Sequence, residues 1–501
     1  MKQLFLHNLV LGTVLLVSAS AATAWEIDRR PNIVVILADD LGYGDLGCYG
    51  HSRIQSPVID QLATEGMRLT SCYSAASNCS PSRTGLMTGR FPQRVGIHNW
   101  IPMFAPMHVR RSEVTVSTLL RDSGYQTCHV GKWHLNGQFN LPTQPQPSDH
   151  GFDYWFSTQN NALPTHHNPR NFVRNGIPVG PQRGYSAGLV ADEAIHWLRG
   201  RDPTSPFFLY VCFHEPHEPI NSAPRYRALY DAPADSTLPN HHGNVTQMDA
   251  ALGRLLGTLD RSGLRENTLL IFTSDNGPAI TRRHPHGSAG PLRDKKGYVS
   301  EGGIRVPGII RWPGHTRPGE TCDEPVCGVD LLPTLCTIAG VEIPADRTID
   351  GTSFLPVFAG EKIKRSTPLY WHFNFAQGPS KVAMRDGNWK IMATLTGPPL
   401  PPTGHVKKTD QVAIKNAQLS KFKLYHLGRD IGEKKDLATS EPAQLAKMIA
   451  RLQVLYEDVR EESPSWPDWT FAGHEGKIIN AYYKQQELLE QRRQGKDRPE
   501  R

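Results

Sequence analysis

Five short apolar runs constrain this chain more than any other feature: residues 33–37, 127–130, 207–213, 269–273 and 306–310. Each is long enough for a strand buried on both faces and too short for a helix. Between them lie segments with apolar residues at helical spacing. These are 58–67, 114–121 (stopped by Gly124), 187–198, and a face of Val245, Met248, Leu252, Leu255, Leu256 and Leu259. Buried strands alternating with helices predict an α/β fold, a large mixed and mostly parallel sheet flanked by helices. A chain of 501 residues has room for such a sheet and for a second unit.

The texture changes near residue 360. Residues 356–368 read as a linker, followed by strand-like 369–373. The runs 381–384 and 389–392 form a hairpin-like pair around Asp386-Gly387-Asn388. Residues 397–410 are Pro-rich and polar and predict an exposed loop. After 422–427 comes a helix from about Ser440, with Leu445, Met448, Ile449, Leu452, Leu455, Tyr456 and Val459 on one stripe. That stripe reads as core packing. The expected division is 1–24 as a processing signal, 25–360 as the main domain, 361–470 as a smaller C-terminal α+β subdomain with an antiparallel sheet, and 471–501 as a charged tail.

The first residues fit a secretory signal. Lys2 precedes an apolar stretch from Leu9 to Val17, and Ala22-Thr23-Ala24 supplies small residues for cleavage. The stretch is too short for a membrane span, and no later run approaches that length. The expectation is export without stable membrane insertion: periplasmic or secreted, or lysosomal in a eukaryote. The net charge of +7 is scattered, with no basic stripe interleaved with aromatics, which argues against nucleic acid. Oligomeric state stays open.

Export permits disulfides, but eight cysteines in 501 residues do not make a stapled scaffold. Cys128 and Cys212 sit in apolar runs and read as buried thiols. Cys322 and Cys327 are close enough for a local bridge, which stays open.

Ligands of open α/β sheets bind at the carboxyl ends of the strands. Here 33–37 leads to Asp39-Asp40, and 127–130 leads to Gly131-Lys132-Trp133-His134. The run 207–213 leads to His214-Glu215-Pro216-His217, and 269–273 leads to Ser274-Asp275-Asn276-Gly277. One such cluster is an ordinary cap or turn. Four together predict a site at one sheet edge. Adjacent carboxylates repel unless a cation or proton lies between them. Asp39, Asp40, Asp275 and the Asn276 carbonyl form an all-oxygen set suited to a hard cation, Ca²⁺ or Mg²⁺. The lysines and histidines beside them imply an anionic substrate.

Cys79 lies in Asn78-Cys79-Ser80-Pro81-Ser82-Arg83-Thr84-Gly85. Pro81 suits a first helical turn, with Ser80 or Cys79 as the cap. Cys79-x-Pro81-x-Arg83, continued through Thr84-Gly85 to Leu86-Met87-Thr88-Gly89, resembles the signature of type I sulfatases. Asp39-Asp40, the 131–134 string, His217-x-Pro219, Asp275-Asn276-Gly277 and Lys296…Glu301-Gly302-Gly303 resemble further family motifs in the family's order. Leu424-Tyr425…Asp430…Gly432-Glu433…Asp436-Leu437 resembles its C-terminal subdomain. The chain shares these motifs with the arylsulfatase A and N-acetylgalactosamine-6-sulfatase types, and the resemblance covers roughly 30–460.

The resemblance implies an alkaline-phosphatase-like fold, with 25–360 as the catalytic domain. It also implies hydrolysis of a sulfate ester on an aryl or carbohydrate substrate, and oxidation of Cys79 to formylglycine by a formylglycine-generating enzyme. One Ca²⁺, or Mg²⁺, would lie among Asp39, Asp40, Cys79, Asp275 and Asn276. A hydroxyl of hydrated residue 79 would displace the alcohol at sulfur. Asp275 could also take a proton from that hydroxyl. His217, helped by Lys296, would protonate the leaving oxygen. Lys132 and Lys296 would bind sulfate oxygens, Arg83 would orient the diol, and His134 would deprotonate the second hydroxyl. His217 is preferred over His214 because His-x-Pro fits the pattern. Lys296 is preferred over Lys295 by its spacing to Glu301.

Other features stay secondary. The loop Arg282-Arg283-His284-Pro285-His286 and the group His166, His167, Arg170 and Arg174 are polar loop residues that can face substrate. Asn78-Cys79-Ser80 and Asn244-Val245-Thr246 match glycosylation sequons. Two rival functions remain: a formylglycine-dependent phosphonate or phosphodiester hydrolase, and a non-catalytic binder of sulfated glycans.

Overall fold

The alternation along β1 (Asn32–Asp39) explains the layers. Ile33, Val35 and Leu37 enter one apolar core, while Val34, Ile36 and Ala38 enter another. Neighbouring strand side chains point to opposite faces, so this strand needs cover on both. The computed structural model describes residues 30–232, 234–375, 379–400 and 403–473. The expected signal segment 1–24 and nearly all of the expected 471–501 tail lie outside them.

Three parallel strands join β1: β2 (Gln126–Lys132), β3 (Phe207–Pro216) and β4 (Thr268–Ser274). They lie in the order β4, β1, β3, β2. Gly308–Arg311 runs antiparallel beside β4, followed by Met67–Leu69 and Glu320–Cys322. On the other side Tyr154–Thr158 runs parallel to β2, and the short Val173–Arg174 and Ile177–Pro178 complete ten strands. The expected mixed, mostly parallel sheet is present. Helix α1 (Cys79–Thr88) faces its active edge. Helices α2 (Ser186–Gly200) and α3 (Thr237–Arg261) bury Val190, Ala194, Leu252 and Leu255 in one core. Val116 and Leu120 of Val116–Asp122, with Leu332 and Leu335 of Leu331–Ala339, pack in the other.

The second sheet holds β5 (Leu369–Phe373), β6 (Lys381–Asp386), β7 (Trp389–Leu395) and β8 (Leu419–His426), antiparallel in that order. Gly387 turns the β6–β7 hairpin with φ 57°, which a glycine adopts freely. Helix α4 (Pro442–Glu462) packs Met448, Leu452, Leu455, Tyr456 and Val459 on this sheet, as its stripe predicts. Tyr73, Phe91 and Val299 from the large unit enter the same core.

Several boundaries move for local reasons. The run 207–213 extends to Pro216 because β1 continues beside it, with Asp39 opposite Pro216. His214 and Glu215 are therefore strand residues. The expected helix 58–67 is Pro57–Glu65, since Met67 begins a strand paired with Gly308–Arg311. The 397–410 stretch is not simply exposed. Leu400 and Val406 are buried, and Lys408–Asn416 is helical. The expected linker holds a short 3-10 turn, Leu355–Ala359, that buries Val357 and Phe358.

All eight cysteines are free thiols. The open possibility of a Cys322–Cys327 bridge is not realised. Cys322 pairs with Leu69 in one sheet and Cys327 with Tyr73 in another. Cys128 and Cys212 are buried, as expected.

Candidate active site

The four central strands end together. In register, Leu37 lies beside Cys212 on one side and Thr273 on the other, and Gly131 lies beside Cys212. The next residues along each strand are therefore neighbours: Asp39 and Asp40, His217, Asp275, and Lys132. Helix α1 brings Cys79 to the same place. The Asn78 side chain accepts a hydrogen bond from the Cys79 N–H at 2.8 Å. Asn78 is thus the cap and Cys79 the first helical residue, one position earlier than a Cys79 cap and two earlier than a Ser80 cap would give.

The contacts form a closed set. Lys296 Nζ is 2.6 Å from Asp40 Oδ1 and 3.2 Å from Cys79 Sγ. Lys132 Nζ donates to Asp39 Oδ2 at 2.7 Å. Arg83 Nε donates to Asp275 Oδ2 and Arg83 Nη1 to the Lys132 carbonyl, both at 2.9 Å. The Asp40 N–H donates to Asp275 Oδ1 at 3.1 Å, and Asn276 Nδ2 to Asp40 Oδ1 at 2.6 Å. His217 Nε2 is 3.4 Å from Asp40 Oδ2. Asp40 and His134 both have left-handed backbones, φ 64° and 60°.

Burial makes charge costly here, and the partners decide where it stays. Burial opposes ionisation of Asp39, but Lys132, His217 and Arg83 outweigh it and hold the pKa below the usual range. For Asp40 the same burial is outweighed mainly by Lys296 and His217. Asp275 goes up, because burial and the Asp39 charge exceed the help from Arg83 and Lys132. Burial pulls His217 down, but Asp40 and Asp39 raise it to about 9.

Within the expected cation set, Asp39 Oδ1, Asp40 Oδ2 and Asn276 Oδ1 are buried without a hydrogen-bond partner. Orphaned oxygens beside mutually repelling carboxylates fit a hard divalent cation. Donor atoms of Asp39, Asp40, Cys79 and His217 lie within 4.8 Å of one another. Asp275 differs from this group in that Arg83 and the Asp40 N–H already hold its two oxygens. A carboxylate oxygen can accept more than one bond, so this does not disqualify it.

His134 is a different kind of group. Its Nε2 is 3.1 Å from the Ile101 carbonyl, which can only accept, so Nε2 carries the hydrogen. Nδ1 is then a buried lone pair without a partner. Burial, then the charges of Lys132 and Arg83, drive its pKa well down. His214 is fully buried, with Nε2 2.8 Å from the Thr158 hydroxyl, a structural bond.

A cavity of about 370 Å³ opens over this group, with Cys79, His134, His217 and Lys296 in its lining. Lys132, Arg83 and the Asp275 carboxylate stand behind it. The walls were not visible in the sequence pattern. Asn78, Asn99, Asn160 and Asn161 supply amides, Trp100, Tyr298, Phe373 and Phe375 supply rings, and Lys295 supplies a second ammonium.

Several secondary expectations fail. His166 is buried, its Nδ1 3.3 Å from Asn244 Nδ2, and Arg174 is a bidentate partner of Glu193 at 2.6 and 2.7 Å. His167 stacks on Tyr185. Arg170 is exposed, and none of the four lines the cavity. Asn244 is fully buried inside α3, so it cannot carry a glycan. In the 282–286 loop, Arg282 and Arg283 are exposed, while His286 Nε2 turns to Asp235 at 3.0 Å and Thr237 at 2.8 Å.

The chain has clear relatives. A family model described as Sulfatase matches residues 31–341, and one described as N-sulphoglucosamine sulphohydrolase, C-terminal, matches 292–394. Arylsulfatase A of Homo sapiens is 33% identical, covering 89% of this chain and 92% of its own length. N-acetylgalactosamine-6-sulfatase of Mus musculus is 31% identical, covering 91% of each. The solved structure of Ps i-CgsB in complex with k-i-k-neocarrahexaose superposes with a TM-score of 0.76 at 28% identity, over 90% of this chain and 98% of that one.

Proposed function

The chain belongs to the sulfatase family of sulfuric ester hydrolases, and we propose that it removes sulfate from a carbohydrate through a formylglycine made from Cys79. One observation carries this reading. Cys79 opens a helix on the cavity lining, with Sγ 3.2 Å from Lys296 Nζ and a carboxylate pair alongside. Once in place, formylglycine supplies a hydrated aldehyde nucleophile, and a divalent cation supplies charge that offsets the carboxylates and polarises sulfate oxygens.

Asp39, Asp40, Asp275 and Asn276 would hold the cation, with residue 79 completing the set. Their oxygens favour Ca²⁺, with Mg²⁺ as the second choice. In this reading Asp275 also takes a proton from the attacking hydroxyl. Lys296 and Lys132 hold sulfate oxygens. Lys296 is the one in the cavity lining, and Lys132 stands beside it on Asp39. Arg83, one turn along α1, fixes Asp275 and the Lys132 carbonyl and so orients the nucleophile's helix. His217 turns Nδ1 to the Glu218 carbonyl and keeps Nε2 towards Asp40, where it can protonate the leaving oxygen, aided by Lys296. His134 takes a proton at Nδ1 in the step that frees sulfate.

Amide and aromatic walls suit a sugar, whose hydroxyls pair with amides and whose ring face lies on aromatic carbon. The relative solved with a carrageenan-type oligosaccharide supports the same class. In this reading 25–360 is the catalytic domain. Subdomain 361–470 adds Phe373 and Phe375 to the cavity. Residues 1–24 direct export, and among the described residues no helix is long and apolar enough to cross a membrane. A formylglycine-generating enzyme matures Cys79.

The test is the mass of tryptic peptide 69–83 together with turnover of a sulfate ester. An aldehyde at residue 79 in active protein is expected. Unmodified Cys79 in protein co-produced with a proven maturation enzyme, or full turnover by Cys79→Ala, would sink the reading.

A further inference from the structure

Two consecutive lysines line the cavity and lead to different places. Lys296 ends on Asp40 and Cys79 at the reacting centre. Lys295 ends on the Ile280 carbonyl, beside the wall of Ala279, Ile280 and Thr281. The backbone that carries both is pinned. The Lys296 N–H donates to the Pro278 carbonyl at 3.2 Å and the Gly297 N–H to the Ser77 carbonyl at 2.8 Å. The two points from which the side chains depart are therefore set by the fold.

Their charge balance differs. Lys296 has a carboxylate partner at 2.6 Å. Among the described residues no carboxylate lies within ion-pair distance of Lys295, and no residue lining the cavity is acidic. A half-buried ammonium with one carbonyl for a partner keeps two donors free. Next in the chain after Thr281 come Arg282 and Arg283, both exposed. A cation without an anion, inside a cavity that receives an anion, is a place for a second one.

We propose that Lys295 forms a second anion subsite, so that this enzyme selects substrates with another negative group, a carboxylate or a second sulfate, beside the scissile sulfate. This rests on the sulfatase reading. The subsite binds and does not react. It sorts substrates by charge, and its effect falls on KM before kcat.

The test uses mature full-length enzyme and three aryl sulfates: one with no further charge, one with a ring carboxylate and one with a second sulfate. Wild type, Lys295→Met and Lys295→Arg are compared. The methionine variant should lose about tenfold more kcat/KM on a dianionic substrate than on the monoanionic one, mainly through KM. Arginine should restore most of it. Loss on one dianion alone identifies the group recognised. Equal losses on all three, or none, would overturn the subsite while leaving the sulfatase reading intact. No turnover of any sulfate by enzyme with the aldehyde confirmed would overturn both.

Discussion

Lys390 Nζ lies 2.8 Å from Glu301 Oε1, and neither side chain touches solvent. Lys390 belongs to β7 of the small sheet, and Glu301 follows the loop that carries Lys296. Glu433 joins them, with Oε1 3.0 Å from Lys390 and Oε2 accepting the Glu301 N–H. The small sheet thus grips the segment that delivers a site lysine. Removing one member of a buried ion set strands its partners, which costs about 3–5 kcal/mol. Lys390→Met should lower the melting temperature by several degrees and reduce turnover. A variant that melts like wild type would refute this.

The orphaned oxygens of Asp39, Asp40 and Asn276 predict stabilisation by a cation. A ligand present at a hundredfold excess over its dissociation constant adds about 2.7 kcal/mol. Chelated protein should melt a few degrees higher on adding Ca²⁺, and Asp39→Asn should lose most of that gain. Melting unchanged by either ion would argue against the site.

The two cavity histidines should fail differently. His217→Asn should lower kcat by about 10²–10⁴-fold on a sugar sulfate, and by much less on 4-nitrophenyl sulfate, whose phenolate leaves unaided. His134→Asn should lower both alike. A leaving-group dependence in the second variant and not the first would reverse the roles.

His98 is one of several buried histidines, with His129, His150 and His166, that make stability fall in acid. It is buried, with Nε2 3.0 Å from the Ser463 hydroxyl and Nδ1 unpartnered. Burial, then the charges of His372 and Lys415, pull its pKa from 6.5 to about 3. The unfolded chain therefore binds the extra proton between those values. The contribution of His98 is complete above pH 6.5 and falls as pH drops towards 3. His98→Gln should flatten that fall by up to about 1.4 kcal/mol per pH unit. An unchanged slope in denaturant melts from pH 6.5 to 4 would refute it.

Much of this was legible because the signals are local. The alternation of β1 announces two covered faces, and carboxylates after apolar runs announce a sheet edge. Cys79 was legible through its neighbours in the chain. The cavity walls were not, because Asn99, Trp100, Asn160, Asn161 and Phe375 come from separate loops, Phe373 from the end of β5, and they meet only in space. His166 misled for the opposite reason. A histidine in a polar stretch looks exposed, yet Asn244 of α3 draws it inside. The extension of β3 to Pro216 depends on β1 lying alongside, which no window of β3 contains.

Asp40 and His134 hold left-handed backbones that asparagine tolerates better than either. His134→Asn would also keep an amide donor for Ile101, whereas Asp40→Asn would leave Lys296 without its carboxylate. Each change needs a single base in its codon. An idle duplicate of this protein would then drift to inactivity at His134 through a step that folding does not resist, while the buried ion pair of Asp40 would hold that position longer.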